Sequence, residues 1–343
     1  MNAITILNTI LANNSDLYQE RIPTATDANF SDVGEKILSF QATKNEFLDA
    51  LVNKICFQSV SNRRFKNPLA ILKKGGTPYG TTEEEIYTNP VKAKAYDGKN
   101  TSDMLEVNPP DTKTIYHVRN REDKYPVSIT NKKLQVAFKS PAAFTEFVGS
   151  IMTAMYAGDE MDEYVLMRKV ISTAIAENRI PSHSLTYNGD EATSKDLVKL
   201  LKTLSFNMSI PEKQYNGYNL LNAEKIEAGT LTPAITWAPV AEQILLIRSD
   251  VDAATDVEVL AKAFNMTKTD FLARKIVVDS FGDADTLAVI ADEKMFKFRD
   301  DDYAVDSFYN GSNRTTNYWL HHWQTISLSL FANGVAIKQA ATA

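Results

Sequence analysis

A few stretches of this chain carry residue types able to do chemistry, and each fails a spacing test. The run Lys73-Lys74-Gly75-Gly76-Thr77-Pro78-Tyr79-Gly80 comes nearest to a phosphate-cradling loop, but that motif closes on Gly-Lys-Ser/Thr and Gly80 is followed by Thr81-Thr82-Glu83. Its glycines suit a turn. His321 and His322 are adjacent, so a strand points them to opposite faces and they cannot share a zinc ion, while His117 and His183 lie far off in sequence. Asp300-Asp301-Asp302 lacks the spacing and glycine of a calcium loop and reads as a solvated acidic turn. Cys56, the single cysteine, rules out an intrachain disulfide and sits between Ile55 and Phe57 as a small apolar residue. No Gly-x-Ser-x-Gly and no spaced carboxylate pair occurs. The expectation is therefore no catalytic residue, no cofactor and no metal.

The elements around these stretches are more informative. Ser140 is a good N-cap, Pro141 suits the first helical position, and no further proline occurs before Pro181. One helix over 140–179 would span about 58 Å. Phe144, Phe147, Val148, Ile151, Met155, Val165, Ile171 and Ile175 form its apolar stripe, and Gly149 and Gly158 are its weak points. Before it, 1–30 reads as a short amphipathic segment and a polar arm, and Asp32 to Phe57 as one helix with Asp32 as its cap. Across 58–138, Asn67-Pro68, Gly75-Gly76, Asn89-Pro90 and Asn108-Pro109-Pro110 punctuate short β-leaning pieces, Glu85 to Thr88 and Thr114 to Val118 among them, and alternation continues through Leu134, Val136 and Phe138. This mostly two-stranded excursion has too little apolar content for its own core, so it needs partners.

After the long helix, 190–291 alternates helix and strand. Ser194 caps Lys195 to Ser205, Phe206 to Ile210 reads as a strand, Ile244 to Ile247 is an apolar strand, Asp256 to Phe264 is helical, and Lys275 to Val278 and Leu287 to Ile290 are strands. A mixed sheet with helices on its faces follows. From Met295 the pattern returns to β.

The chain has 343 residues, 44% of them hydrophobic and 23% charged, and a net charge of −6. That suits a soluble globular protein of one large or two modest domains, and fits poorly with a protein devoted to coating exposed nucleic acid. No basic leader and no run of 18 apolar residues occurs, so a cytosolic product without a membrane span is expected. The charge is uneven. Arg63, Arg64, Lys66, Lys73 and Lys74 meet no acid before Glu83, whereas Asp279 to Asp306 holds nine carboxylates against Lys294, Lys297 and Arg299.

Several strings together resemble one family. Asn67-Pro68-Leu69, Lys73-Lys74-Gly75, Glu84 to Thr88, Tyr116 to Arg121 before Tyr125, Asp162-Glu163-Tyr164, Val257 to Met266 with Thr269 to Leu272, Tyr318-Trp319 to Trp323-Gln324-Thr325, and Phe331-Ala332-Asn333 resemble, in order and spacing, the major capsid proteins of small protein-primed podoviruses of Gram-positive bacteria. The resemblance covers most of 30–337. It implies an α+β chain with the HK97-type capsid fold: a long spine helix on a β-sheet P domain, an extended β-hairpin E-loop and a mixed α/β A domain. The corresponding segments are an N-terminal arm and helix at 1–60, the E-loop at 61–128, the P domain at 129–191 with the spine at 140–179, the A domain at 192–290, and C-terminal P-domain strands at 291–343. Some relatives carry an immunoglobulin-like domain after the Phe331 string, and none is expected here; nor is a lysine–asparagine crosslink.

The implied function is structural: copies of the chain join as hexamers and pentamers, with a scaffolding protein and a portal, into an icosahedral head around double-stranded DNA, assembled in the bacterial cytoplasm. Opposite charges on adjacent copies suggest inter-subunit contacts through Arg63, Arg64, Lys66, Lys73, Lys74, Arg119 and Arg121 and through Asp300, Asp301 and Asp302. The alternative is an α/β enzyme with a long lid over a pocket in 190–291.

Overall fold

A computed structural model of the chain describes residues 3–51, 65–76, 82–94, 106–255 and 274–340. Cys56, Arg63, Arg64 and the helix read over 256–264 lie outside the described residues. The chain opens with helices α1 (Ala3–Asn13), α2 (Asp16–Arg21), α3 (Phe30–Ser39) and α4 (Gln41–Ala50), then strands β1 (Lys73–Gly76), β2 (Glu83–Thr88), β3 (Thr112–His117) and β4 (Arg121–Thr130). Helices α5 (Asn131–Ala137), α6 (Pro141–Met152) and α7 (Gly158–Ala176) follow, with a π-helical turn at Thr153–Ala157 joining the last two. Strand β5 (Ser182–Leu185), helix α8 (Glu191–Met208), short helices α9 (Gly217–Leu221) and α10 (Ala223–Glu227), strand β6 (Gln243–Arg248) and helix α11 (Ser249–Ala254) come next. The chain ends in strands β7 (Lys275–Val278), β8 (Thr286–Asp292), β9 (Phe296–Asn310), β10 (Thr315–Leu328) and β11 (Gly334–Gln339).

Local chemistry explains where these elements depart from the sequence expectations. The Thr130 hydroxyl accepts from the Lys133 amide and starts α5, so Leu134, Val136 and Phe138 belong to a helix and its end, not to a strand. Asp190, not Ser194, caps α8 by accepting from the Thr193 amide at 2.8 Å, and Phe206 lies inside that helix because Leu201, Leu204 and Met208 keep its apolar period. The helix expected over 32–57 breaks at Phe40, whose backbone is extended. Ser140 does cap the long helix, its hydroxyl accepting from the Ala143 amide at 3.2 Å. The irregularity falls at the π-helical turn, just before Gly158, and Gly149 sits within regular α6.

Contacts divide the chain into two compact units, one comprising Met1–Asn67, Arg121–Glu163 and Asp301–Trp323, the other Pro68–Asn120, Tyr164–Asp300 and Gln324–Ala343. In the first, Ile6, Leu7 and Ile10 of α1, Phe30, Val33 and Ile37 of α3, and Phe47 and Leu48 of α4 pack with Phe144, Val148 and Ile151 of α6 and with Tyr318 and Leu320 of β10. Phe30, Phe47, Phe138 and Phe144 meet with ring centroids 5.4 to 6.2 Å apart. Gly34 is required beside them, since a Cβ there would lie 2.5 Å from the Phe138 ring. The stretch read as an N-terminal arm is thus part of this core. Its Ile6, Leu7 and Ile10 form an apolar face that must be buried.

The second unit is built on a five-stranded sheet in the order β5-β11-β8-β6-β7, with β11 antiparallel to β8, β8 antiparallel to β6, and β6 parallel to β7. Every residue of β8 is buried, because both faces of the sheet are covered. Met167, Ile171 and Ile175 of α7 pack on Leu246, Val289 and Ala336 from one side. Leu197, Leu201 and Met208 of α8 pack on Leu245, Ile290 and Ile337 from the other. The mixed sheet expected within 190–291 therefore extends further, taking β5 and β11 from outside those bounds. Strands β2 and β3 pair antiparallel as a separate ribbon, from Glu83 with His117 to Thr88 with Thr112. No helix among the described residues is long and apolar enough to cross a membrane.

Candidate functional site

Two of the stretches with chemical side chains lie in strands. Lys73–Gly76 is strand β1, parallel to β9, and not a phosphate loop. Asp300, Asp301 and Asp302 lie within strand β9, which corrects the expected acidic turn. Asp300 is held from two sides: Lys73 Nζ lies 2.7 Å away and Gln324 Nε2 donates to it at 2.6 Å.

Two polar clusters do the holding. The first, in the second unit, seats the β2–β3 ribbon. Its inner face carries Glu83 and Glu85, and strand β9 presents Lys297 and Arg299 with the same two-residue spacing. Arg299 Nε lies 2.7 Å from Glu83 and Lys297 Nζ 3.1 Å from Glu85. His117 is buried between two partners, with Nε2 3.0 Å from Glu85 Oε2 and Nδ1 2.6 Å from Ser327 Oγ. Ser329 donates to the other Glu85 oxygen at 2.9 Å. Farther along, Tyr87 donates to the Ile235 carbonyl and stacks on Phe331, and Asn89 donates to the Pro233 carbonyl. Asp111 accepts from Lys113 and Thr232, with Asn89 donating as well, and its carboxyl is drawn down to about 2. The outer face of the ribbon is left wet, with Ile86 and Tyr116 each 62% exposed.

Burial alone would raise the Glu85 carboxyl, but His117, Lys297 and Ser329 outweigh it and hold the group below its ordinary value of 4.5. A lowered folded-state value means that Glu85 stabilises the seat fully above pH 4.5 and loses that contribution as pH falls through the lowered value. Loss of a hydrogen bond to a charged group costs about 1.5–3 kcal/mol. Glu85→Gln should therefore speed amide exchange in 83–88 and 112–117 by at least about tenfold at neutral pH, and acid should do the same to the unmodified chain. Equal exchange in both proteins would contradict this role.

The second cluster, in the first unit, is deeper. Arg121 at the start of β4 donates through Nη2 to Asp159 Oδ1 at 2.8 Å and through Nε to Asp123 at 2.7 Å. His322 Nδ1 lies 2.6 Å from the same Asp159 oxygen. The side chains of Arg121, Asp159 and His322 are 3–4% exposed. Burial would favour a neutral Arg121, yet Asp123, Asp159 and Tyr125 hold it protonated, above its ordinary value. Asp159 lies in α7 just past the π-helical turn. Nearby, Asn67 donates from its backbone to Glu160 at 2.9 Å and from its side chain to Glu163 at 2.7 Å.

Of the residues expected at subunit contacts, Lys73, Arg121 and Asp300 are thus engaged inside their own chain. Burial and the charge of Lys297 lower the Lys74 ammonium from its ordinary value. Arg119 and Asp301 are half-buried, and Lys66 and Asp302 are exposed. Sequence reading missed Glu85, His117, Asp159 and Ser327. The matching alternation of Glu83/Glu85 and Lys297/Arg299 is the signal that was there to find.

Both clusters fasten elements together. Comparison with known proteins agrees with that character: a sequence profile of the phi29-like phage major capsid protein family matches residues 7–338. The chain belongs to that family. As a phi29-like major capsid protein it is 32% identical over 339 residues to the major capsid protein of Bacillus phage PZA, covering 96% of this chain and 72% of the relative. To that of Streptococcus phage Cp-1 it is 30% identical over 352 residues, covering 96% of this chain and 92% of the relative. Among solved structures it resembles the capsid of Staphylococcus phage Andhra with a TM-score of 0.65 at 16% identity, over 82% of this chain and 86% of that one. A chain from the structure of the head fibre and inner core protein of bacteriophage P68 gives 0.60 at 15% identity, over 82% and 86%. The fold is HK97-type, and the role of this capsid protein is structural. The enzyme alternative is set aside on that family membership.

Proposed function

We propose that copies of this capsid protein join as hexamers and pentamers into an icosahedral head that encloses double-stranded DNA, assembled in the bacterial cytoplasm with a scaffolding protein and a portal. The observation that carries the proposal is the ribbon. It is pinned on its inner face by charge and hydrogen bonds, while Ile86, Tyr116 and Val118 on the outer face stay exposed in a single copy. Such a face in a chain whose relatives build shells is suited to a neighbouring copy. The proposed parts are a P domain around the spine, an E-loop over 61–128 that reaches the neighbour, and an A domain over 192–290. Arg63, Arg64, Lys66, Lys74, Arg119, Asp301 and Asp302 are the proposed charged contacts between copies, where they would fix orientation more than affinity.

Sedimentation of the chain expressed with its scaffold tests this. Megadalton shells should form, and Tyr116→Asp in the exposed face should shift the material to capsomers or single chains while the isolated chain stays folded. Full-sized shells from Tyr116→Asp would remove the ribbon face from the interface.

A further inference from the structure

Helix α8 covers the five-stranded sheet with one face and leaves the other to solvent. On the open face Lys199, Lys202 and Phe206 are exposed at i, i+3 and i+7, within one sector about 60° wide, and the exposed Ile210 follows just past the end of the helix. A second exposed strip lies on the short helices α9 and α10 of the same unit. Leu220 and Leu221 end α9, and Glu224 and Glu227 stand one turn apart on α10. Lys225 lies about 100° around the helix from Glu224 and so off that strip. Among the described residues, none of Lys199, Lys202, Glu224 and Glu227 forms an ion pair within its own chain. Each strip thus joins two like charges to two exposed apolar side chains, and the two strips have opposite sign.

We infer that the α8 strip of one copy packs against the α9–α10 strip of the next copy, an inference that rests on the self-assembly proposed above. The spacings match when the two run antiparallel. Lys199 and Lys202 are about 4.5 Å apart along their axis, as are Glu227 and Glu224, and Phe206 on one side and the leucines on the other follow in the next turn. The apolar side chains then fill the middle of the contact, while the exposed charges set its register more than its strength. Other exposed acids fit the lysine pair less well. Glu84 is a single acid that already accepts from the Tyr116 hydroxyl at 3.1 Å, and Asp302 stands in strand β9. Helix α2 places Asp16 and Glu20 beside one exposed leucine, Leu17, and next to Arg21, whose charge opposes the lysines. Because the two strips are different surfaces, the contact is head-to-tail, and its repetition carries copies around a ring.

The test is charge reversal and its rescue, read as the yield of shells sedimented from the full-length chain expressed with its scaffold. Lys199→Glu with Lys202→Glu sets like charges opposite Glu224 and Glu227 and should lower that yield by at least about tenfold. Glu224→Lys with Glu227→Lys should do the same, and all four changes in one chain should restore shells. Circular dichroism verifies that each variant is folded, as expected for exposed positions. Shells at full yield from the lysine reversal would overturn the contact, and the same shells holding less DNA would give the face to nucleic acid instead. A loss that Asp16→Lys with Glu20→Lys restores, or that neither acid pair restores, would overturn α9–α10 as the partner surface. An unmodified chain that forms no shells would overturn the self-assembly reading and this contact with it, before any variant is compared.

Discussion

Asp159→Ala should destabilise the folded chain by about 3–5 kcal/mol, because it removes one partner of a buried pair and strands the other. Arg121 would keep Asp123 and the Tyr125 hydroxyl, but its Nη2 and the ring of His322 would both lose the Asp159 oxygen that now lies 2.8 and 2.6 Å away. Neither side chain can retreat to water, since both are 3% exposed. Urea unfolding of the unassembled protein, followed by circular dichroism, reads the change as a lower midpoint at unchanged slope. The control is a replacement of the pair itself. Arg121→Met combined with Asp159→Leu removes both charges at similar volume and should recover much of the loss. A shift below about 1 kcal/mol in Asp159→Ala would mean that water reaches the cluster and that it does not hold β4, the start of α7 and β10 together.

A larger effect is expected from one substitution made twice in the long helix. Ile151 in α6 is 3% exposed and packed in the core of the first unit, whereas Val165 in α7 is 48% exposed. Ile151→Asp forfeits about 1.5–3 kcal/mol of apolar burial and adds several more for an unpaired buried carboxylate. That sum approaches the whole stability of a domain, about 5–15 kcal/mol, so the variant should yield no soluble, assembly-competent protein. Val165→Asp changes a wet position and should stay within about 0.5 kcal/mol. Soluble yield and shell formation read both outcomes. Equal behaviour of the two variants would show that the buried stripe is not where the structure puts it.

These two positions also show what could be read from the sequence. Ser140 and Pro141 marked the start of the long helix, and the stripe of Phe144, Val148, Ile151, Met155, Ile171 and Ile175 is buried. Val165 shares their spacing, yet it is exposed, because a periodic pattern identifies a face and not the extent of what covers it. The strands at Ile244 to Ile247, Lys275 to Val278 and Leu287 to Ile290 were plain, since a sheet buried on both sides needs unbroken apolar runs. Phe206 and Val136 misled for the opposite reason. Short β-leaning runs were overridden by the caps at Asp190 and Thr130, which commit the following residues to helices. The ion clusters were the least legible part. Arg121 was noticed for its charge and assigned to a neighbour, but its partners Asp159 and His322 lie 38 and 201 residues away, and only the fold brings them together.

Electron microscopy of particles formed by the full-length chain with its scaffold tests the account most directly. The prediction is a closed, symmetric shell whose wall is one copy thick, with the long helix lying across each tile and the β2–β3 ribbon resting its outer face on the adjacent copy. Small discrete oligomers under shell-forming conditions, or a shell in which Ile86 and Tyr116 face solvent on every copy, would contradict it.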